Sequence, residues 1–267
     1  PEVDIVDLTR ERVGPCGQNV ISGPLYAAIE ETLGRGEQAI LFINRRGFFT
    51  FAQCKDCGQT LCCPHCSVSL SYHSSRGKLL CGRCGFAAAT SILCSQCNSS
   101  SIRYYGTGTQ RIEKEVADVY PAARILRYDR DTVSKPGSHE AFFATFAGGR
   151  ADVLIGTQMV TKGLDVANVT LVGVVSADTG LNLPDFRSAE HTFQLLTQVA
   201  GRAGRHHLAG KVIIQTHLPE HYVIRSAALH DYLAFYRQEI SNREELGYPP
   251  FNQLVNLIIS GEDEKKV

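Results

Sequence analysis

The chain has 267 residues, 43% of them hydrophobic and 20% charged, with 27 Lys and Arg against 27 Asp and Glu. This composition excludes a disordered or fibrous protein, and the exact charge balance excludes a whole-chain field that draws in nucleic acid. The longest mostly apolar stretch, Val169 to Ala177, is far short of the ~20 residues of a membrane span.

No basic leader with a cleavage site opens the sequence, so it reads as soluble and intracellular, with one or two domains. It starts at Pro1 without a Met and ends on the charged run Glu262–Val267, which reads as a piece of a longer protein. The first strand is predicted at Ala39–Ile43. Directly after it comes a Cys-rich insert, set between residues 52 and 105.

Eight of the ten cysteines form four C-x-x-C pairs: Cys54/Cys57, Cys63/Cys66, Cys81/Cys84 and Cys94/Cys97. A disulfide framework suits a small secreted domain, and neither condition holds here. Two thiolates on a tight turn supply half of a tetrahedral site, so eight imply two Zn2+ ions. Each site is closed by four sulfurs, which makes the metals structural. The spacing between Cys66 and Cys81 favours a nested pairing: Cys63, Cys66, Cys81 and Cys84 inside, Cys54, Cys57, Cys94 and Cys97 outside. A cross-brace stays open. Cys62 and Cys16 fall outside the paired pattern, and the full set of thiolates makes His65 and His73 unnecessary as ligands. Lys55, Arg76, Lys78, Arg83 and Arg103 against Asp56 give the insert a formal charge of +4. Two zinc–tetrathiolate sites at −2 each cancel that. The insert therefore reads as a docking or recognition surface rather than a phosphate clamp, with Tyr72, Phe86, Tyr104 and Tyr105 as core or stacking residues.

Beyond the insert, Thr109 caps a helix carrying Ile112, Val116, Val119 and Tyr120 on one face. Strands follow at Ile125–Tyr128 and Val153–Ile155, separated by a helix from Ser138 that Gly148-Gly149 stops. A strand at Val169–Val175, a helix from Ser188 with Phe193, Leu196 and Ala200 aligned, and a strand at Val212–Ile214 complete the alternation. The fold class is α/β, a doubly wound parallel sheet interrupted by the metal module. A last helix spans Asp231–Glu245. Gly247-Tyr248-Pro249-Pro250 then breaks the chain before a strand at Leu254–Ile259, which reads as the start of a further domain.

Two loops look like nucleotide machinery. Residues 156–165, G-T-Q-M-V-T-K-G-L-D, follow a strand directly, where α/β sheets bind ligands. Gly156 and Thr157 offer an N–H and a hydroxyl to phosphate; Gly163 and Asp165 suit a ribose. Residues 198–205 read Q-V-A-G-R-A-G-R. If the helix continues, Gln198, Arg202 and Arg205 share a face and suit a triphosphate. The plain alternative is a helix C-terminus, where Arg and Gly are common. No G-x-x-x-x-G-K-[ST] occurs: Pro24 stands where Gly17–Gly23 would need its Lys, and Gly106–Thr109 is too short. No acidic D-E-x-H box occurs either, so the chain alone is expected to be inactive.

Q-V-A-G-R-A-G-R at 198–205 resembles motif VI of superfamily-two helicases. G-T-Q-M-V-T-K-G-L-D at 156–165 resembles motif V, and I-L-F-I-N-R-R-G-F at 40–48 resembles motif IV. Together with the four C-x-x-C pairs, Y-G-T-G-T-Q-R at 105–111 and P-D-F-R at 184–187, the pattern resembles the PriA family of bacterial replication-restart helicases over nearly the whole chain. The resemblance implies a discontinuous second RecA-like lobe (1–51 and 106–230), a zinc module (52–105) and the start of a C-terminal domain (231–267). It also implies an ATP-dependent 3′–5′ DNA helicase whose phosphate- and Mg2+-binding lobe lies elsewhere. Its partners would be forked and single-stranded DNA, single-stranded-DNA-binding protein and primosome proteins such as PriB and DnaT, in the bacterial cytoplasm at the nucleoid. Carried over by position, Arg205 is the arginine finger, Arg202 a second phosphate ligand and Gln198 its neighbour. Gly163 and Asp165 close on the nucleotide, and Gly156, Thr157 and Thr107 track the DNA backbone. The sequence departs from the pattern at Leu164, Val166 and His191. The alternatives are a zinc-ribbon adaptor on a degenerate lobe and a translocase of double-stranded DNA.

Overall fold

The computed structural model describes residues 1–11, 20–43, 50–65, 70–73, 78–81, 84–89, 93–105, 109–128, 138–157, 166–183, 185–204 and 209–255. In chain order the elements are β1 (Glu2–Asp7), α1 (Gly23–Gly34), β2 (Gln38–Ile43), β3 (Thr50–Cys54), β4 (Ser71–His73), β5 (Lys78–Leu80), β6 (Ala87–Ala89) and β7 (Ile102–Tyr105). They continue with α2 (Thr109–Val119), β8 (Ile125–Tyr128), α3 (Ser138–Ala147), β9 (Val153–Gly156), β10 (Val169–Ser176), α4 (Asp178–Leu181), α5 (Ser188–Ala200), β11 (Lys211–Thr216), α6 (Tyr222–Ala228) and α7 (Tyr232–Glu245).

The apolar runs form one six-stranded sheet in the order β1-β11-β10-β2-β9-β8, with every neighbouring pair parallel. Every residue of β2, β9 and β10 is buried, the signature of strands covered on both faces. One face packs against α1 and α2 through Leu25, Ile29, Ile112 and Val116; the other packs against α3, α5 and α6 through Phe146, Phe193, Leu196 and Val223. Each such side chain contributes roughly 1.5–3 kcal/mol on leaving water. Buried Gln215 ties the layers together. Its side chain accepts from the Ser22 N–H at 2.7 Å and donates to the Val20 and Val175 carbonyls at 2.9 and 2.8 Å. Ser22 in turn caps α1, accepting from Leu25 N–H at 3.3 Å.

The Cys-rich insert is a separate antiparallel sheet, β6-β5-β4-β3-β7. Its core is small: Ala52, Leu61, Cys63, Leu70, Leu79 and Cys81, with Phe86, Ala88 and Ile102 packed alongside. A core of this size needs a second source of stability.

Two expectations are corrected. The α5 helix does not run on to Arg202; it ends at Ala200, with Gly201 as its C-cap. Two glycines within four residues each cost a helix roughly 1 kcal/mol against Ala, and Gly204 turns left-handed at φ 64°. Gln198 and Arg202 therefore do not share a helical face, and the chain forms a plain helix C-terminus there; Arg205 lies outside the described residues. Nor does strand structure begin at Leu254 and Val255; residues 256–259 of that expected strand lie outside the described residues. Helix α7 packs on the lobe. Phe235 stacks on Phe193 with ring centroids 4.2 Å apart, and Arg243 reaches Glu190 at 2.9 Å.

Candidate functional site

Each described metal-site knuckle has the same local build. The residue after the second cysteine is left-handed: Gly58 at φ 75°, Gly85 at 73° and Asn98 at 55°. Its N–H returns to the carbonyl of the first cysteine, at 3.0 Å from Gly58 to Cys54, 3.0 Å from Gly85 to Cys81 and 2.8 Å from Asn98 to Cys94. That C-x-x-C-[GN] signal was available in the sequence.

The knuckles converge in the nested arrangement. Cys54, Cys57, Cys94 and Cys97 bring their sulfurs within 4.8 Å of one another, as do Cys63, Cys81 and Cys84. Cys66 lies outside the described residues. The Cys54–Cys97, Cys57–Cys94 and Cys63–Cys84 sulfurs stand 3.5 Å apart. That is far beyond the ~2.05 Å of a disulfide and close to the ~3.8 Å edge of a tetrahedron with 2.3 Å Zn–S bonds. Burial pushes the Cys57 thiol up to about 12. Burial acts the same way at Cys94, but hydrogen bonds from the Cys97 and Gln96 backbone N–H groups outweigh it and bring that thiol down to about 7. Such donors favour the thiolate a metal needs. Both clusters thus fit structural zinc, which would cross-link the module; the four sulfurs of the Cys54–Cys57–Cys94–Cys97 cluster would leave no open position for a substrate.

The module is seated on the carboxyl end of the parallel sheet. The Thr60 hydroxyl donates to Asn182 Oδ1 at 2.8 Å, and Asn182 Nδ2 donates to the Asp178 carbonyl at 2.9 Å. Asp178, fully buried at the start of α4, accepts from the Thr216 hydroxyl at 2.5 Å and from the His217 backbone N–H at 2.9 Å, with His217 Nδ1 also at 2.9 Å. Sequence reasoning passed over Asp178 and His217, because a lone Asp and a lone His carry no spacing signal. Phe86, one of the stacking candidates, meets His65 edge-on at 5.2 Å and packs against the module's core.

The predicted site residues divide between the two ends of the sheet. Gly156 closes β9, and buried Thr157 follows it at the carboxyl end. The Arg202 turn lies at the opposite, amino end: Gly204 N–H donates to the carbonyl of Val169, the first residue of β10, at 3.1 Å. Gln198 is exposed on the last turn of α5 and Arg202 is half-buried. Gly163, Asp165, Thr107 and Arg205 lie outside the described residues. The Val166 carbonyl accepts from Val169 N–H at 3.3 Å at the amino end. Among the described residues no helix is long and apolar enough to cross a membrane.

Residues 63–88 match the PriA DNA helicase Cys-rich region (CRR) domain, and residues 89–207 match the helicase conserved C-terminal domain. Fold and site therefore define a helicase C-terminal lobe of parallel α/β type carrying a Cys-rich zinc-ribbon insert. The chain is 50% identical over 266 residues to the replication restart protein PriA of Bacillus subtilis, covering 100% of this chain and 33% of that protein. It is 45% identical over 271 residues to that of Synechocystis sp., covering 100% and 32%. The chain belongs to the PriA family of replication restart proteins and spans about a third of the length of these relatives. Among solved structures, the C-terminal domain of the DEAD-box protein Dbp5 aligns at 14% identity, over 87% of this chain and 85% of that one, with a TM-score of 0.40.

Proposed function

We propose that this chain is the second motor lobe and zinc module of an ATP-dependent 3′–5′ DNA helicase that recognises stalled or abandoned replication forks and starts primosome assembly. The lobe comprises residues 1–51 and 106–230, the module 52–105, and residues 231–267 lead into a C-terminal domain. The observation that carries the reading is the division of the sheet: the arginine turn at its amino end, the zinc module and the Gly156–Thr157 backbone at its carboxyl end. A motor that couples ATP to strand movement needs two such separate surfaces on one rigid body.

In this reading Arg205 is the arginine finger, Arg202 a second phosphate ligand and Gln198 their neighbour, with Gly163 and Asp165 closing on the nucleotide. Gly156, Thr157 and Thr107 follow the backbone of single-stranded or forked DNA. ATP and Mg2+ are held chiefly by a phosphate-binding lobe outside this chain, so the chain alone is inactive. Single-stranded-DNA-binding protein, PriB and DnaT are the partner classes the reading implies.

The test is Arg205→Ala in the full-length protein. An arginine finger is worth ~10³–10⁵ in rate, so DNA-stimulated ATP hydrolysis should be abolished while zinc content is unchanged. A loss under roughly tenfold would contradict the assignment.

A further inference from the structure

Gly210 precedes β11 and lies outside the motif that carries the arginines, yet its Cα faces the backbone of that motif. A Cβ placed there would stand 2.2 Å from the Gly204 nitrogen, 2.3 Å from the Ala203 carbonyl carbon and 2.5 Å from the Gly204 Cα. All three are backbone atoms, so no side chain can swing aside to make room. The turn has no slack on its other side either. Gly204 N–H is bound to the Val169 carbonyl at 3.1 Å, and Ala203 is 2% exposed. Gly210 is itself held, its carbonyl accepting from Glu2 N–H at 3.0 Å. The turn bearing Arg202 therefore rests between two parallel strands on a backbone-to-backbone contact that only glycine permits.

We propose that Gly210 is a positioning residue for the arginine turn: it sets where Arg202 stands relative to the nucleotide, without touching the nucleotide itself. The inference rests on the proposed ATPase reading. Any larger residue at 210 must push the turn outward by about an ångström, and a displacement of that size can cost ~10²-fold in rate.

The experiment uses the full-length protein, with ATP as the probe and rates expressed per zinc-loaded, folded molecule. Gly210→Ala should lower kcat for DNA-stimulated hydrolysis by tenfold to a hundredfold and leave KM for ATP within about threefold, since the phosphate cradle lies on the other lobe. Ala209→Ser, an exposed neighbour, should leave both unchanged. Should Gly210→Ala fail to fold, Glu2→Pro decides. It removes the N–H that holds Gly210 while adding nothing to the core, at the first residue of an edge strand where proline is tolerated. It should lower kcat at least threefold without shifting KM. Wild-type kcat in Gly210→Ala, or in Glu2→Pro where Gly210→Ala does not fold, alongside an inactive Arg205→Ala, overturns the inference and leaves the helicase reading standing. A wild-type protein that hydrolyses no ATP, or an Arg205→Ala variant with full activity, overturns both.

Discussion

The carbonyl oxygen of His217 occupies the space any side chain at Gly58 would need: a Cβ at Gly58 would lie 2.5 Å from it. The first zinc knuckle is thus pressed backbone-to-backbone onto the loop that follows β11. This contact, with the Thr60–Asn182 hydrogen bond, joins the module to the lobe independently of the two chain connections. Gly85 gives an internal control: it has the same knuckle position and the same left-handed φ, 73° against 75°, with nothing among the described residues within 4 Å of its Cβ position. Gly85→Ala should cost only the left-handed strain, about 1–2 kcal/mol. Gly58→Ala should cost that plus about 1–3 kcal/mol of overpacking. Denaturant melts of both variants at equal zinc content would show the difference; equal losses would mean that the docking contact carries no energy.

The nested zinc pairing makes a sharp prediction about double substitutions. Cys54→Ser with Cys94→Ser damages one cluster, and native mass spectrometry should show one zinc ion retained. Cys54→Ser with Cys81→Ser damages both, and none should be retained. A cross-braced module that joined the first and third pairs would give the reverse result. Stripping both metals with a chelator should melt the insert, whose own apolar core is too small to hold it. The six-stranded sheet should keep its circular dichroism.

The legible part of this fold was the part buried on both faces. Strands β2, β9, β10 and β11 read as β-branched runs because both faces must be apolar. β1 did not read as a strand: at the sheet edge only Val6 of its residues is buried, and Glu2 and Asp4 interrupt the pattern. α1 carries its start signal, Ser22 as cap with Pro24 in the first turn, which a search for a phosphate loop among the nearby glycines overlooks. The eight thiolates were plain from spacing, but their partition was not, since spacing constrains pairs and not which pairs meet. The division of the candidate site was also hidden. Residues 156–165 and 198–205 look alike as phosphate-binding loops; the Gly204–Val169 hydrogen bond and the contact with Gly210 put the turn at Gly204 at the amino end of the sheet.

Asp178 should be the most costly carboxylate to remove among the described residues. Truncation by Asp178→Ala removes the acceptor of the buried Thr216 hydroxyl and His217 backbone N–H, a loss of about 1–3 kcal/mol for each donor that finds no replacement. Asp185, half-buried and bonded to its neighbour Arg187, is the comparison. Asp185→Ala should stay within about 1 kcal/mol, as partly exposed pairs do. Urea unfolding of the two variants checks this, with the m-value confirming that the folded state is unchanged. Near-equal losses would mean that water or a backbone shift satisfies the buried donors.

His221 should give the protein an acid-sensitive component separate from its zinc sites. Its Nδ1 accepts from Val223 N–H at 3.3 Å, capping α6, and its ring stacks on Tyr222 at 4.8 Å. Burial holds its pKa below the ordinary 6.5, against the opposing pull of Asp178 and Glu239. With the folded value lowered, the unfolded chain takes up a proton that the native chain refuses. This contribution is therefore complete above the unfolded pKa and is lost as pH falls from there towards the folded one. His221→Asn keeps a cap acceptor and removes the titration. The drop in melting temperature between about pH 7.5 and pH 5.5 should therefore be smaller in the variant than in the parent, the thiolates contributing equally to both. Identical pH slopes would show that His221 binds its proton as readily in the folded chain as in the unfolded one.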